Sequence, residues 1–261
     1  MCLIALAWQV HPRYPLVVAA NRDEFHARRT MALAPWVENA EVLGGRDLQA
    51  GGSWMGARRG GRFAAVTNYR TPNPGPGEWS RGALVQDFLL GAARAPETAV
   101  RLMCDADRYG PFNLLISDGQ ELVWATNRPT PAWRSVPAGV HGVSNGAPSF
   151  VEGRPWPKVV KMMTALGCWV KQPGAAEAAC TPLLVALADD ASVAEAALPD
   201  TGVGQAMERL LAPVFVRGLR YGTRASSVVR VSAAGAVVFC ERRFAANGVP
   251  AGETRLELPP A

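Results

Sequence analysis

No stretch of this 261-residue chain approaches the ~20 consecutive apolar residues that a membrane-spanning helix needs. The longest apolar runs, Leu3–Val10 and Leu183–Ala188, are far shorter. The segment from Met1 to Val10 lacks a basic leader and a convincing cleavage site, so it does not read as a secretory signal. N-x-[ST] acceptors are missing altogether. Cysteine is sparse: five residues, widely spaced and without a C-x-x-C pair, which excludes a disulfide framework and a zinc cluster of the usual spacing. The three histidines, His11, His26 and His141, form no H-x-x-x-H, and no metal site is expected. These absences predict reduced thiols in a cytoplasmic protein with no membrane span. Lysine is nearly absent too, at Lys158, Lys161 and Lys171 among 27 basic residues. The net charge of +5 is scattered over short pairs such as Arg28-Arg29, Arg58-Arg59 and Arg242-Arg243, with acids between them. A nucleic-acid footprint would be a concentrated basic stripe with interleaved aromatics, so nucleic acid is not an expected partner. Without any Gly-Lys there is no Walker A loop, and G-x-G-x-x-G has no match.

What is present describes a globular protein: 49% apolar and 19% charged residues, with no repeat and no polar linker. A single domain over residues 1–261 is expected. Leu3–Trp8 and Leu16–Ala20 are nearly unbroken apolar runs around the turn His11-Pro12-Arg13-Tyr14-Pro15. They predict a hairpin buried on both faces, since a half-exposed strand would alternate. Glycine pairs in 44–68 suggest tight turns leading into a strand over Arg62–Asn68. Ser80 can cap a helix over Leu84, Val85, Phe88 and Leu89. Pro96 can open one over Val100 and Met103. Asp118-Gly119-Gln120 reads as a hairpin turn. Pro157 opens a helix with Val159, Met163, Leu166 and Val170 on one stripe, and Thr181-Pro182 opens another. Ala225–Val231 and Ala236–Phe244 form a late strand pair. Strands apolar on both faces need covers on both sides, which two packed sheets with helices outside would supply.

Gly142-Val143-Ser144-Asn145-Gly146 matches G-x-S-x-G, the nucleophile elbow of serine hydrolases. That elbow needs a helix directly after the serine and a histidine downstream. Pro148 stands in the way of the helix, and no histidine follows His141, so this reading is rejected. A different constellation remains. Removal of Met1 before the small residue Cys2 would leave a thiol and a free α-amine on one residue. The thiolate is the nucleophile, and an amine of pKa about 7.7–8.0 is a base close to working pH. By itself Cys2 is equally a small buried residue. Asn21-Arg22-Asp23-Glu24 follows the second strand; hairpin pairing would bring it beside Cys2, where Asp23 could orient the ammonium and a guanidinium could lower the thiol pKa. It is equally a solvated turn. Asn68 at a strand end could donate to an oxyanion, Asn145-Gly146 suits a tight turn, and Arg224 stands at the mouth of the last strand pair.

Together with Gly51-Gly52-Ser53-Trp54-Met55-Gly56, Val66-Thr67-Asn68-Tyr69-Arg70, Ser80-Arg81-Gly82, Phe112-Asn113-Leu114-Leu115, Pro155-Trp156-Pro157-Lys158-Val159 and Tyr221-Gly222-Thr223-Arg224, these motifs resemble, in order and over the whole chain, the NRDE family. Its eukaryotic members are called transport and Golgi organization protein 2. The family in turn resembles cysteine-type N-terminal-nucleophile hydrolases such as penicillin V acylase and bile salt hydrolase. The resemblance implies an α+β fold, a four-layer αββα sandwich of two antiparallel sheets between helices. It implies amide hydrolysis or acyl transfer through Cys2, with Asp23 orienting the amine, Asn68 and Asn145 supplying oxyanion and substrate-aligning amides, and Arg224 a supporting guanidinium. Pro148 and Phe150 also resemble that group's pattern, with one extra residue here. Those hydrolases place their arginine three residues before the aspartate, at Ala20 here; Arg22 is the substitute. Asn21, Trp54, Tyr69 and Trp156 are the candidate substrate contacts.

Two functions are therefore expected. One is a hydrolase or acyltransferase on an amide or acyl substrate, needing no cofactor. The alternative is a non-catalytic protein of intracellular haem trafficking or acyl-lipid handling, binding haem or acyl-CoA in the same pocket, with Cys2, His11, His26 or His141 open as the iron ligand. Substrate identity and oligomeric state are not written in the sequence.

Overall fold

The computed structural model describes residues 2–72, 74–75, 77–151, 153–172, 174 and 180–260. The chain opens with the hairpin β1 (Cys2–Trp8) and β2 (Leu16–Phe25), followed by β3 (Thr30–Pro35), β4 (Val42–Asp47), β5 (Met55–Arg58) and β6 (Arg62–Asn68). Helices α1 (Arg81–Leu90) and α2 (Ala95–Asp105) precede β7 (Phe112–Ser117), β8 (Leu122–Thr126), β9 (Ala132–Ser135) and β10 (Gly139–Val143). Then come α3 (Pro157–Lys171), α4 (Thr181–Ala186) and α5 (Gln205–Leu211), and finally β11 (Tyr221–Val231), β12 (Val237–Phe244) and β13 (Pro250–Leu258).

The strands form two antiparallel sheets, one of order β10-β1-β2-β11-β12-β13 and one of order β3-β4-β5-β6-β7-β8-β9. Strand parity explains why β1 carries no polar side chain. Ile4, Leu6 and Trp8 point between the sheets, where they meet Leu43, Phe63 and Trp124 of the other sheet. Leu3, Ala5 and Ala7 point outward to Val159, Met162 and Leu166 of α3 and to α4. On the far side, α1 and α2 cover the second sheet through Val85, Phe88, Leu89 and Ala99. The layering is a four-layer αββα sandwich of two antiparallel sheets between helices.

Local signals act as expected at several ends. Ser80 accepts from Gly82 N–H at 3.2 Å and starts α1, whose buried residues are Leu84, Val85, Phe88 and Leu89. The β7–β8 hairpin turns at Asp118-Gly119. Elsewhere the structure corrects the reading. α2 buries Ala95, Ala99 and Leu102, whereas Val100 is 53% exposed, because contacts with the sheet set the rotation of the helix. α3 buries Lys158, Met162 and Trp169 beside Val159 and Leu166; Met163 and Val170 lie at the margin of that stripe. The strands β3, β9, β10 and β13 and the helix α5 carry no signal in the local sequence pattern. Most consequential, β2 does not end at Ala20: it runs on through Asn21-Arg22-Asp23-Glu24 to Phe25, with the first three of these buried.

Candidate active site

Because β2 continues, its register with β1 decides what meets the thiol. Cys2 pairs with Arg22, and Arg22 pairs in turn with Ala225 of β11, which pairs with Arg243 of β12. Cys2, Arg22, Ala225 and Arg243 thus form one row across the sheet, on the face that looks toward the second sheet. At this end the sheets part around a cavity of about 900 Å³. Between Thr223 and Ala225 the β11 ladder is interrupted by a bulge, and Arg224 is the extra residue. A bulge sets two residues against one and re-aims a side chain; here Arg224 and Ala225 both line the cavity.

Cys2 lies on the cavity wall, and its carbonyl accepts from Ser144 Oγ at 2.8 Å. Burial pushes its thiol pKa up, and the Arg22 guanidinium opposes that rise. Asp23 follows Arg22, so it lies on the amino side of Cys2. It is 1% exposed; its Oδ1 accepts from Thr223 Oγ1 at 2.7 Å, and its carbonyl accepts from Tyr221 Oη at 3.1 Å. The Thr223 hydroxyl also accepts from Val216 N–H at 2.9 Å, so its proton is directed at the carboxylate.

Asn68 ends β6 on the opposite wall, and its side-chain amide makes no hydrogen bond among the described residues. Its carbonyl accepts from Asn145 Nδ2 at 2.9 Å. Asn145 is fully buried after β10, and its carbonyl accepts from Arg70 N–H at 2.6 Å. Its amide is therefore committed to holding the end of β6 and does not point at the main cavity. Ser144 is followed by no helix, and its hydroxyl is engaged with Cys2, so the elbow pattern has no catalytic geometry here.

The remaining candidates divide. Trp54 and Tyr69 line the main cavity. Trp54 is placed by a close approach: Gly52, at φ +72°, lies so near Gly82 that a Cβ there would come within 2.3 Å of the Gly82 carbonyl. Trp156 instead walls a smaller cavity of about 320 Å³, where the Arg70 guanidinium lies 4.6 Å over its ring. Asn21 is a correction. Odd-numbered residues of β2 face the helices, so its amide donates to the carbonyls of Leu187 and Val214, both at 2.8 Å, and its Oδ1 accepts from Ser226 Oγ at 2.6 Å. It fastens the sheet to the helical layer and touches no substrate space.

Arg70 and Arg81 lie in motifs of the sequence that by themselves assign neither residue a role. Both line the cavity. Arg81 donates to the Pro111 carbonyl at 3.3 Å; burial lowers its pKa, and the nearby Cys2 thiol acts the other way. Arg70 is ion-paired with Glu208 of α5 at 2.5 Å, with both side chains buried. Lys158 Nζ donates to the Leu211 carbonyl at 2.9 Å, so α5 is held at two points. Met207 and Leu211 of α5 then add to the apolar wall with Trp54 and Trp79. In all, seven arginines face four carboxylates around the cavity. Of Cys2, His11, His26 and His141, only Cys2 is on this wall. Among the described residues no cluster of three His, Cys, Asp or Glu could hold a metal ion, and no helix is long and apolar enough to cross a membrane.

The model of the family described as Transport and Golgi organisation 2 matches residues 1–246. A human Transport and Golgi organization protein 2 homolog is 31% identical over 280 residues, covering 98% of this chain and 97% of the relative. The mouse homolog is 30% identical over 267 residues, covering 93% and 92%. Among solved structures, the C2A mutant of conjugated bile acid hydrolase from Clostridium perfringens superposes with TM-score 0.54 at 9% identity, covering 99% of this chain and 92% of that one. A Caenorhabditis elegans ortholog of N-acylethanolamine-hydrolyzing acid amidase gives TM-score 0.50 at 12% identity, covering 87% and 92%. These two structures share the fold.

Proposed function

Since the chain belongs to the Transport and Golgi organisation 2 family and carries the fold of hydrolases that include a conjugated bile acid hydrolase, we propose that it hydrolyses or transfers acyl groups through Cys2. The observation that carries this reading is the placement of Cys2 on the cavity wall, in register with Arg22 and one residue from the buried Asp23.

With Met1 removed, the α-amino group of Cys2 is oriented by the Asp23 carboxylate, itself fixed by Thr223, and enters the reaction as the neutral amine. The amine takes the thiol proton, and Arg22 favours the thiolate that results. Sulfur attacks the carbonyl carbon of an amide or ester, and the developing oxyanion is met by the Asn68 side-chain amide. Collapse breaks the bond to the leaving amine or alcohol, which takes the proton from the α-ammonium. The thioester is then opened by water or by an acceptor amine, and the thiol is restored. Asn145 acts as a positioning residue through the Asn68 carbonyl. Trp54 and Tyr69 wall the acyl chain, while Arg224 and Arg81 add positive charge beside the reacting carbonyl. A reactive thiol of this kind suits a reducing compartment, and we place the protein in the cytoplasm.

The test is intact-mass spectrometry of the purified protein before and after an activated acyl ester. The expected result is a chain without Met1 that gains one acyl group, and a Cys2→Ala variant that gains none. Retained Met1, or acylation persisting in Cys2→Ala, overturns the proposal.

The division of the cavity into arginine and apolar walls favours a second reading, a carrier of an anionic amphiphile such as acyl-CoA or haem. The three histidines do not face this space, so Cys2 would be the iron ligand there. Acyl-CoA binding unchanged in Cys2→Ala, without any acyl-enzyme, would favour the carrier. A haem titration that shows no Soret shift at micromolar protein counts against haem.

A further inference from the structure

Behind the sheet, away from the cavity, two thiols meet. Cys180 stands at the start of α4, and Cys240 lies in β12 on the face that looks to the helices. They are 6% and 2% exposed, and their sulfurs are 2.6 Å apart. A disulfide bond is about 2.0 Å long. Two guanidinium groups share their surroundings. Arg255 is the register partner of Cys240 in β13, and Arg230 projects from β11 on the same face. Cys104 and Cys168 are exposed and make no such contact, and Cys2 belongs to the cavity.

We propose that Cys180 and Cys240 are a redox-active dithiol that closes to a disulfide with hydrogen peroxide and reopens with thiol reductant, fastening α4 to β12. The chemistry supports a fixed order of events. The Cys240 thiol donates to the Cys180 sulfur, and this bond, with Arg230 and Arg255 nearby, lowers the Cys180 pKa against the effect of burial, while Cys240 is pushed up. Cys180 therefore reacts first. Its thiolate attacks one peroxide oxygen, the O–O bond breaks, and hydroxide leaves to become water, with Cys180 left as a sulfenic acid. The Cys240 sulfur then attacks the Cys180 sulfur. The S–S bond forms, the S–O bond breaks, and hydroxide departs with the Cys240 proton as a second water. Two thiols lose two electrons and one peroxide is reduced to two waters. The bond closes a covalent loop around α5 and β11, which carry Met207, Leu211 and Arg224 of the cavity wall. It also pins the helix whose following residue, Leu187, receives the Asn21 amide.

The experiment treats the full-length protein with hydrogen peroxide, blocks remaining thiols with N-ethylmaleimide under denaturing conditions, and maps peptides by mass spectrometry. The expected product is a Cys180–Cys240 cross-linked peptide pair, reversed by dithiothreitol, and a Tm raised by roughly 5–10 °C. The same cross-link is expected in a Cys104→Ser/Cys168→Ser variant, which removes the exposed thiols as bystanders. In Cys240→Ser, Cys180 is expected to stop at a dimedone-trappable sulfenic acid. Maleimide on both Cys180 and Cys240 at peroxide doses that oxidise Cys104 and Cys168, or Cys180 joined to any other cysteine, overturns the proposal. The wild-type peptide map decides the matter even if a variant fails to fold.

Discussion

Asn145 holds two chain segments with one side chain and the peptide group beside it. Its amide fixes the end of β6 through the Asn68 carbonyl, and its carbonyl receives Arg70. Asn145→Ala removes the 2.9 Å donor from the Asn68 carbonyl and leaves it only the longer contact from Thr67 Oγ1 at 3.2 Å, which costs about 1 kcal/mol. It should also slow acylation about tenfold, because Asn68 is no longer held. Urea unfolding and single-turnover acylation check the two effects. An unchanged acylation rate in a destabilised variant would confine Asn145 to a structural role. For Cys2, the thiol pKa is raised by burial and restrained by Arg22, so the acylation rate should climb with pH through neutrality. Removing the cation removes support for the thiolate. Arg22→Gln is therefore expected to move the midpoint of the pH–rate profile upward, and a downward move would refute the role given to Arg22. Asn21 carries the opposite lesson. It stands next to Arg22 in the same tetrapeptide, yet parity in β2 sends it to the helices. That parity can be read from the sequence only once the strand is known to continue past Ala20.

Elements that make mostly local or wholly apolar contacts were the legible ones. β1, β2 up to Ala20, α1 and the β7–β8 hairpin follow from apolar runs, one cap and one turn signal. β13 was illegible because none of its residues is fully buried and it is held by pairing with β12, a relation no local pattern encodes. α5 was illegible because two of the contacts that hold it, Arg70 to Glu208 and Lys158 to Leu211, come from remote parts of the chain. The site was half legible for the same reason. Cys2, Asp23 and Asn68 occupy strand ends that the motifs marked, whereas Thr223, Arg70 and Arg81 gain their meaning only from what they touch. At Asp118 an element boundary becomes testable. Burial pushes its carboxyl up, but the N–H groups of Glu121, Ala95 and Gln120 together with Arg94 outweigh it and leave the pKa lowered. Asp118 thus ties the β7–β8 turn to the start of α2. A lowered folded pKa gives stability that is present above the unfolded value of about 3.9 and is lost as pH falls through the folded one. Asp118→Asn should cost roughly 1–2 kcal/mol near neutrality and less in acid, measured by urea unfolding at both pH values. An equal cost at both would break the assignment.

Across the whole molecule, charge is distributed less evenly than the sequence suggests. A net charge of +5 scattered along the chain gathers as seven arginines against four carboxylates around one cavity. Folding assembles the group from β2, β4, α1, β11, β12 and loops between them, so no basic run announced it. Such a lining draws anions, and the attraction fades as salt shortens the Debye length from about 10 Å at 0.1 M to 3 Å at 1 M. Turnover of an acyl ester with an anionic leaving group should fall severalfold in kcat/KM over that range, while a neutral ester of equal chain length stays nearly constant. Equal responses would argue that the arginines serve the fold alone.

The bulge in β11 has a genetic corollary. Thr223 pairs with Asp23 on one side of it and Ala225 with Arg22 on the other. Losing the codon for residue 224 would heal the ladder without shifting either pair. Position 224 is therefore where a one-residue indel can grant or withdraw a guanidinium while leaving the surrounding architecture in frame.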